Sequence, residues 1–139
     1  MKILITGSRD ANARLLAIAR QTVLEAAESG DEIIVGDAEG VDAEVIRVCD
    51  FLGVPVQVHG AYGSMRRKTK YGTNIKHNRT TTYPARDKDM AFRCDKCVAC
   101  WNGVSKGTYI TWTTAKKLEK DVTVCIEYNG DPPPGVEVE

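Results

Sequence analysis

The segment KILITGSR at residues 2–9 gives the first indication of the fold. Its apolar and β-branched side chains predict a short buried strand, and Gly7 predicts the turn at which this strand ends. In residues 13–29 the apolar side chains instead recur every three to four positions, which predicts an amphipathic helix that ends at Gly30. A strand that turns through glycine into a helix is the opening unit of a parallel α/β sheet.

The same pattern recurs along the chain. Residues 32–35 are a second apolar run, residues 36–42 (GDAEGVD) are a glycine-rich turn, and residues 41–52 return to helical spacing before Gly53. The other predicted elements are strands at residues 54–58, 96–101 and 122–126, a helix at residues 109–120, a loop at residues 61–72 and a short helix or excursion at residues 73–83. We therefore predict a Rossmann-like α/β fold, a doubly wound sheet of about five mainly parallel strands with helices on both faces.

Length and composition indicate one globular domain. The chain has 139 residues, of which 42% are hydrophobic and 27% charged, and this excludes a disordered or collagen-like protein. Residues 1–128 are predicted to form the domain, and residues 129–139, with three consecutive prolines, a flexible acidic tail. The apolar runs are too short to cross a bilayer and the N-terminus lacks a signal-peptide pattern, so we expect a cytoplasmic protein without a membrane partner. An odd number of cysteines, five, favours reduced thiols.

Charge is unevenly distributed, although 19 basic and 19 acidic residues balance over the whole chain. Residues 64–93 contain nine basic and two acidic residues, and the rest of the chain is correspondingly acidic. A net charge of zero argues against binding to duplex DNA through bulk electrostatics. The basic segment, residues 64–93, is interpreted either as an anion-binding wall or as solvated surface.

Three predicted strand exits are rich in glycine: residues 7–9, 36–42 and 103–108. Glycine lets the backbone approach a ligand closely, and the free N–H groups of a following helix favour an anion such as phosphate. Three such turns at the carboxyl ends of strands favour a phosphate-bearing ligand of nucleotide size over purely structural turns. None is a Walker P-loop or a complete GxGxxG motif, which disfavours ATP hydrolysis and ordinary NAD-dependent redox chemistry.

Four motifs in this order, residues 2–9, 36–42, 78–79 and 103–108, resemble the SLOG superfamily of Rossmann-like proteins, most closely its YspA-type branch. The resemblance covers residues 2–128. It implies a fold related to the LOG phosphoribohydrolases and to DprA. It also implies a nucleotide or nucleotide-derived ligand, such as an ADP-ribose species, held by a sensor or sequestering protein that needs no further cofactor and forms a homodimer or higher homo-oligomer.

The resemblance also implies which residues contact the ligand. Matched to the family motifs, these are Gly7, Ser8, Arg9, Gly36, Asp37, Ala38, Gly40, Asp42, Asn78, Arg79, Asn102, Gly103, Ser105, Gly107 and Thr108. Arg79 is suited to a charge-assisted phosphate contact. Asp42 is suited to ribose hydroxyls. Helix capping is the alternative role for Asp42 and Thr108.

The enzymatic possibility depends on one departure from the family. LOG-type hydrolases carry a glutamate three residues after the glycine–threonine pair, and Thr111 stands at that position here. A hydroxyl cannot replace a carboxylate as a general acid or base at neutral pH, so a ligand-binding role is favoured over catalysis. If the protein is an enzyme, Asp37, Glu39 or Asp42 supplies the carboxylate of a nucleotide N-glycoside hydrolase or transferase.

Several residues of metal-binding type are interpreted as structural. Cys94, Cys97 and Cys100 have C-x2-C-x2-C spacing and are weak candidates for a zinc or iron–sulfur site. Cys97 and Cys100 are three positions apart in a predicted strand, so they should face opposite sides of the sheet as small buried residues. His59 and His77 lack a cysteine or serine partner at a recognisable spacing and are predicted as loop or surface residues.

Single-stranded nucleic acid is the second alternative ligand. Tyr62, Tyr71 and Tyr83 interleave with the basic segment, and such a pattern suits bases stacked on rings with cations along the phosphates. A lid over a bound nucleotide would have the same composition. Because the net charge is zero, a small ligand is favoured over nucleic acid.

Overall fold

The computed structural model describes residues 1–128, which form a six-stranded parallel sheet covered by four helices. The strands are β1 (Lys2–Gly7), β2 (Glu32–Gly36), β3 (Val56–His59), β4 (Thr73–Ile75), β5 (Lys96–Trp101) and β6 (Asp121–Ile126). The helices are α1 (Ala13–Ser29), α2 (Val41–Leu52), α3 (Tyr83–Arg93) and α4 (Lys106–Lys117). The tail predicted at residues 129–139 lies outside the described residues.

The strand order is β4-β3-β2-β1-β5-β6, and every neighbouring pair is parallel. The chain builds outward from β1 through β2, β3 and β4, then returns to the other side of β1 to place β5 and β6. The direction of winding therefore reverses between β1 and β5. In an open parallel sheet, ligands bind at the carboxyl ends of the strands beside such a reversal.

Each face of the sheet is buried beneath a pair of helices. On one face, Leu15, Ala19 and Val23 of α1 pack with α2 against the sheet, and all three are fully buried. On the other face, Met90 of α3 and Ala115 of α4 pack against the opposite side of β1 and β5. The doubly wound α/β fold with helices on both faces is thus confirmed.

The structure has one strand more than the sequence predicts, and all six strands are parallel. The strand that was not predicted, β4, is only three residues long, and its largely exposed polar side chains give no apolar run. Helix α3 was also missed, because its sequence YPARDKDMAFR is dominated by charged residues. Helix α4 begins at Lys106 instead of residue 109, because the residues before Tyr109 belong to its first turn.

The cysteines are placed as strand alternation predicts. Cys97 packs in the layer of α3 and α4, and Cys100 packs in the layer of α1 and α2. Burial raises the pKa of both thiols, that of Cys100 to about 12. Within the described part of the chain, Cys94, Cys97 and Cys100 do not converge on a common point. The structure therefore places these cysteines in the core without forming the metal site for which they were weak candidates.

No helix within residues 1–128 combines the length and the apolar character that crossing a bilayer requires.

Candidate functional site

A cavity of about 850 Å³ opens at the carboxyl ends of β1 and β5, where the winding of the sheet reverses. It is lined by Thr6, Gly7, Arg9, Asp10, Ala38, Glu39, Asp42, Arg66, Tyr83, Arg86, Asp87, Met90, Asn102, Ser105, Lys106, Gly107 and Thr108. These residues come from three glycine-rich strand exits, the loop after β3 and helix α3. The volume is that of a typical small-molecule site.

Asn102 joins the first and third of the glycine-rich loops. Its backbone N–H donates to Oγ of the buried Ser8 at 2.9 Å, and its side-chain amide donates to the carbonyl of Asp10 at 3.3 Å. Its Oδ1 accepts from the N–H groups of Val104 and Ser105, at 3.0 and 2.9 Å. Loops that are almost a hundred residues apart in sequence are therefore held together by one side chain.

Gly40 lets the second loop pack closely against the first. It has φ +73°, in the region that favours glycine, and a Cβ there would collide with the carbonyl oxygens of Ser8 and Arg9. The N–H of Val41 donates to the Ser8 carbonyl at 3.3 Å. The glycine that the sequence marks as a ligand-approach position thus serves loop-to-loop packing.

Asp37 is the electrostatic anchor beneath the cavity. Its side chain is 1% exposed, and it accepts from the Arg66 backbone N–H at 2.7 Å, from Arg66 Nη2 at 2.8 Å and from Arg86 Nη1 at 3.0 Å. Burial alone would raise the pKa of Asp37, but the hydrogen bonds from Arg66 outweigh burial and the pKa is lowered. Asp37 is therefore ionised and holds two guanidinium groups in place.

Arg86 connects this anchor to α3 and β3. It donates to the carbonyl of His59 at 2.7 Å and, through Nε, to Asp87 at 2.9 Å. The guanidinium groups of Arg66 and Arg86 lie 4.2 and 5.2 Å from the ring centre of Tyr83, within the range of cation–π attraction. The loop after β3 is thereby fixed against α3.

Burial raises the pKa of two carboxyl groups of the cavity lining towards neutral pH. Burial raises the pKa of Asp42 to about 7, even though Arg86 and the N–H of Ala38, which donates to Asp42 at 3.1 Å, favour its charge. Burial likewise raises the pKa of Asp87 to about 6, against the attraction of Arg86. Titratable groups shifted towards neutrality in one cavity are typical of ligand-binding and catalytic sites.

The N-terminus of α4 opens into this cavity without a cap. Ser105 precedes the helix but its side chain accepts no hydrogen bond from the helix backbone. Among the described residues, the N–H groups of Lys106, Gly107 and Thr108 find no protein acceptor. These free donors, at the positive end of the helix dipole, are suited to an anion.

Two cations of the lining are not neutralised. Within residues 1–128, Arg9 and Lys106 form no ion pair with an acidic side chain, whereas Arg66 and Arg86 are both paired with Asp37. Arg9 and Lys106 come from the two loops on either side of the winding reversal. An anion at the start of α4 would therefore have two cations available to it.

The structure brings most, but not all, of the predicted site residues to the cavity. Gly7, Arg9, Ala38, Asp42, Asn102, Ser105, Gly107 and Thr108 line it, as does the catalytic candidate Glu39. Ser8, Gly36, Asp37 and Gly40 lie behind the lining and support it, and Gly103 lies against Tyr128. Asn78 caps a turn through Thr80, and Arg79 lies beside Gly63, so neither lines the cavity.

The contacts of Asp42 and Thr108 bear on the two roles left open for each, and those of Thr111 show where this residue lies. Asp42 accepts from the Ala38 N–H, in the loop before its helix, and does not cap α2. The Thr108 hydroxyl lies 3.2 Å from that of Ser105, in the cavity wall. Thr111 is buried and its hydroxyl donates to the Gly107 carbonyl at 2.8 Å, outside the lining.

Several residues of the cavity lining were not predicted from the sequence, chiefly Arg66, Arg86, Asp87 and Lys106. The two arginines and Asp87 belong to the basic segment, which the charge pattern identified. No local pattern selects Arg66 and Arg86 from its nine basic residues, because both reach Asp37 through tertiary folding. Lys106 lies within a predicted glycine-rich loop and was the one residue that inspection of that loop could have added.

Comparison with known proteins identifies the same fold. No protein-family model and no curated protein sequence matches the chain. The structure of the molybdenum cofactor binding protein from Rippkaea orientalis is similar, with a TM-score of 0.78 at 17% identity, covering 91% of this chain and 76% of that one. The molybdenum cofactor carrier protein of Chlamydomonas reinhardtii has a TM-score of 0.72 at 20% identity, covering 88% and 74%.

DNA processing protein A (DprA) from Helicobacter pylori is also similar. Its structure, described for a single-stranded DNA binding mode, has a TM-score of 0.71 at 17% identity, covering 89% of this chain and 64% of that one. Identities this low establish the fold alone. The Rossmann-like α/β fold is thus confirmed, and membership of the SLOG superfamily and of its YspA-type branch stays a prediction.

Proposed function

We propose that the cavity binds a nucleotide-derived small molecule whose phosphate lies at the N-terminus of α4. The observation that carries this proposal is the uncapped first turn of α4, with three free N–H groups opening into the cavity. Gly107 lacks a side chain there, which leaves room for an anion close to the backbone. Arg9 and Lys106 add two cations that have no acidic partner among the described residues.

The rest of the cavity supports a ligand larger than phosphate. At about 850 Å³ it has room for a nucleoside phosphate, and Asp42 and Asp87 offer hydrogen-bonding groups for sugar hydroxyls. Two structurally similar proteins are named as binding or carrying the molybdenum cofactor, which is consistent with a small-molecule ligand in this fold. From the SLOG resemblance we propose, more specifically, that the ligand is ADP-ribose-like and that the protein is a sensor or sequestering protein.

The first test is calorimetric titration of ADP-ribose, AMP and NAD into the wild-type protein and three variants. We expect Gly107→Ala to weaken binding at least about tenfold, because the methyl group would occupy the approach to the free N–H groups. A Cβ at Gly107 meets only Asp87, at 3.5 Å, so the fold should tolerate it, and helix propensity favours alanine by up to about 1 kcal/mol. Arg9→Ala should lose about tenfold through the missing charge-assisted contact.

Arg79→Ala is the matched control, because Arg79 belongs to the motif of the family resemblance but lies outside the cavity. We expect it to bind like the wild type. Normal binding by Gly107→Ala together with weak binding by Arg79→Ala would contradict the assigned site. Failure of the wild type to bind any of the three compounds would contradict the ligand class.

A second candidate function is hydrolysis of an N-glycosidic bond in such a ligand. Asp42 and Asp87, with pKa values raised by burial to about 7 and about 6, line one cavity and include a group that can donate a proton at neutral pH. This pair replaces the earlier candidates only in part, because Asp37 is held by two arginines and Glu39 is an exposed rim residue.

Hydrolysis would be measured as release of free base from AMP or NAD across pH 5 to 9. If Asp42 is the general acid, the rate should fall as pH rises through about 7, because the proton is lost there. Asp42→Asn should then lower turnover at least about 100-fold while retaining ligand binding. An intact ligand after prolonged incubation with wild-type protein would leave binding as the function.

Single-stranded DNA is the less favoured ligand. The H. pylori DprA structure supports it by fold, and the basic segment supplies exposed cations. Four cations of the segment are engaged within the protein, since Arg66 and Arg86 pair with Asp37, Arg67 with Glu39 and Arg93 with Asp89. Oligonucleotide binding that grows with length and weakens steeply with salt would support this alternative.

A further inference from the structure

Three side chains of metal-binding type meet at the carboxyl edge of the sheet, outside the cavity. His59 is the last residue of β3, His77 follows β4, and Asp89 lies on α3. One ligand atom from each lies within 4.8 Å of the other two. His59 is completely buried, so its prediction as a loop or surface residue was wrong.

A chain of hydrogen bonds orients His59. The side-chain nitrogen of Gln57 donates to Glu32 at 2.7 Å, which turns the amide oxygen of Gln57 towards the imidazole. That oxygen lies 3.2 Å from Nε2 of His59 and accepts a hydrogen bond from its N–H. Nδ1 of His59 therefore presents a lone pair to His77. A carboxylate, an amide and an imidazole arranged in series are the kind of outer support that metal-binding histidines have.

The spacing of the ligand atoms is close to that of a tetrahedral site. Nδ1 of His59 and Nε2 of His77 are 2.9 Å apart, and Nε2 of His77 and Oδ2 of Asp89 are 3.7 Å apart. Ligand atoms at zinc bond lengths in a tetrahedron are separated by about 3.3 Å. Shifts of a few tenths of an ångström in the half-buried His77 and Asp89 would bring these two separations to this value, and the ligand atoms of His59 and Asp89 lie within 4.8 Å of each other. An ion would take the place of the proton that Nε2 of His77 shares with Nδ1 of His59. That proton would move to the other ring nitrogen of His77, Nδ1.

One cation, Arg93, contacts the cluster directly. Arg93 competes for the carboxylate, because its Nε donates to Oδ2 of Asp89 at 2.8 Å, but its side chain is 40% exposed and has solvent to move into.

We propose that His59, His77 and Asp89 bind one Zn²⁺ ion, with water in the remaining position. Two imidazoles and one carboxylate form a donor set typical of zinc. The ion would join the segment after β4 to α3, the helix that supplies Arg86 and Asp87 to the cavity. This site is independent of the ligand proposed for the cavity, because none of its three residues lines the cavity.

The test is titration of the metal-free protein with Zn²⁺, and separately with Co²⁺ as a spectroscopic probe. We expect one equivalent of Zn²⁺ to bind and to raise the midpoint of thermal unfolding. Co²⁺ should give the visible absorption of a tetrahedral nitrogen and oxygen site without a thiolate charge-transfer band. His77→Ala and Asp89→Asn should each weaken Zn²⁺ binding at least about tenfold, and Gln57→Ala should weaken it by about 10- to 100-fold.

Glu28→Gln, at an exposed position on α1, is the control and should bind Zn²⁺ like the wild type. Unfolding of each variant in the presence of a chelator shows whether it folds without metal, and Asp89→Asn serves if His77→Ala does not fold. Three outcomes would overturn the proposal. They are the absence of stoichiometric binding by the wild type, unchanged affinity in both ligand variants, and a thiolate band with Co²⁺, which would assign the ion to cysteines.

Discussion

Replacing Asp37 by alanine should destabilise the protein by about 3–5 kcal/mol, the cost expected when one partner of a buried ion pair is removed. The variant would remove one of the two carboxylate partners of Arg86, which is 5% exposed, leaving Asp87 at 2.9 Å, and would also leave the Arg66 N–H without an acceptor. Urea unfolding followed by circular dichroism measures this loss. Because the native pKa of Asp37 is lowered, its contribution is present above the unfolded pKa and is lost as pH falls through the native pKa.

Glu39→Ala provides the control for this prediction. Glu39 lies two residues further along the same loop, but its side chain is 76% exposed and it is 3.9 Å from Arg67. An exposed pair of this kind contributes at most about 1 kcal/mol, so the control should unfold close to the wild type. The double variant Asp37→Ala with Arg86→Leu should lose less than the sum of its two single variants. If Asp37→Ala lost less than about 1 kcal/mol, its role as an anchor would be rejected.

Replacing Asp42 by asparagine should stabilise the protein, by about 4 kcal/mol at pH 8 and by little at pH 4. Burial raises the pKa of Asp42 from 3.8 to about 7, so between these values the folded protein binds a proton that the unfolded chain does not. Stability therefore falls as pH rises from about 4 to about 7, and the loss persists above pH 7. Asparagine removes the buried charge and can still accept the Ala38 N–H.

The measurement is the free energy of unfolding of wild type and Asp42→Asn from pH 4 to pH 8. Asp10→Asn, at an exposed carboxylate that lines the same cavity, is the control and should leave the pH dependence unchanged. A gain that was equal at both ends of the pH range would show that Asp42 does not hold its proton in the folded state. The expected gain would identify Asp42 as a residue kept at a cost to stability, as is common in functional sites.

The sequence was sufficient to predict the sheet and three of the loops around the cavity. Buried strands such as β1 and amphipathic helices such as α1 depend on local patterns, because the same residues that set the conformation also face the core. The short polar strand β4 has no such pattern and is defined by its pairing with β3.

Local sequence patterns could not predict which arginines of the basic segment form the wall of the cavity. Arg66, Arg79 and Arg86 have the same chemistry and lie in one basic segment, yet Arg66 and Arg86 reach Asp37 and Arg79 does not. Which arginine reaches a buried carboxylate depends on the path of residues 60–82 over the sheet. No local pattern in a single sequence predicts that path. The burial of His59 was hidden for the same reason, since Gln57 and Asp89 surround it only after folding.

The hydrogen bonds of Asn102 indicate where a ligand enters the cavity. Hydrogen bonds from Asn102 to Ser8 and Asp10 lock the two sides of the winding reversal together, so the cavity is not expected to open there. On the opposite rim, Glu39 and Arg67 are joined only by an exposed pair at 3.9 Å. Because such a pair separates readily, we expect it to be the gate. Association and dissociation of an anionic ligand should then both quicken when Glu39 is neutralised, because a gate acts on entry and exit alike, and association should slow as ionic strength rises.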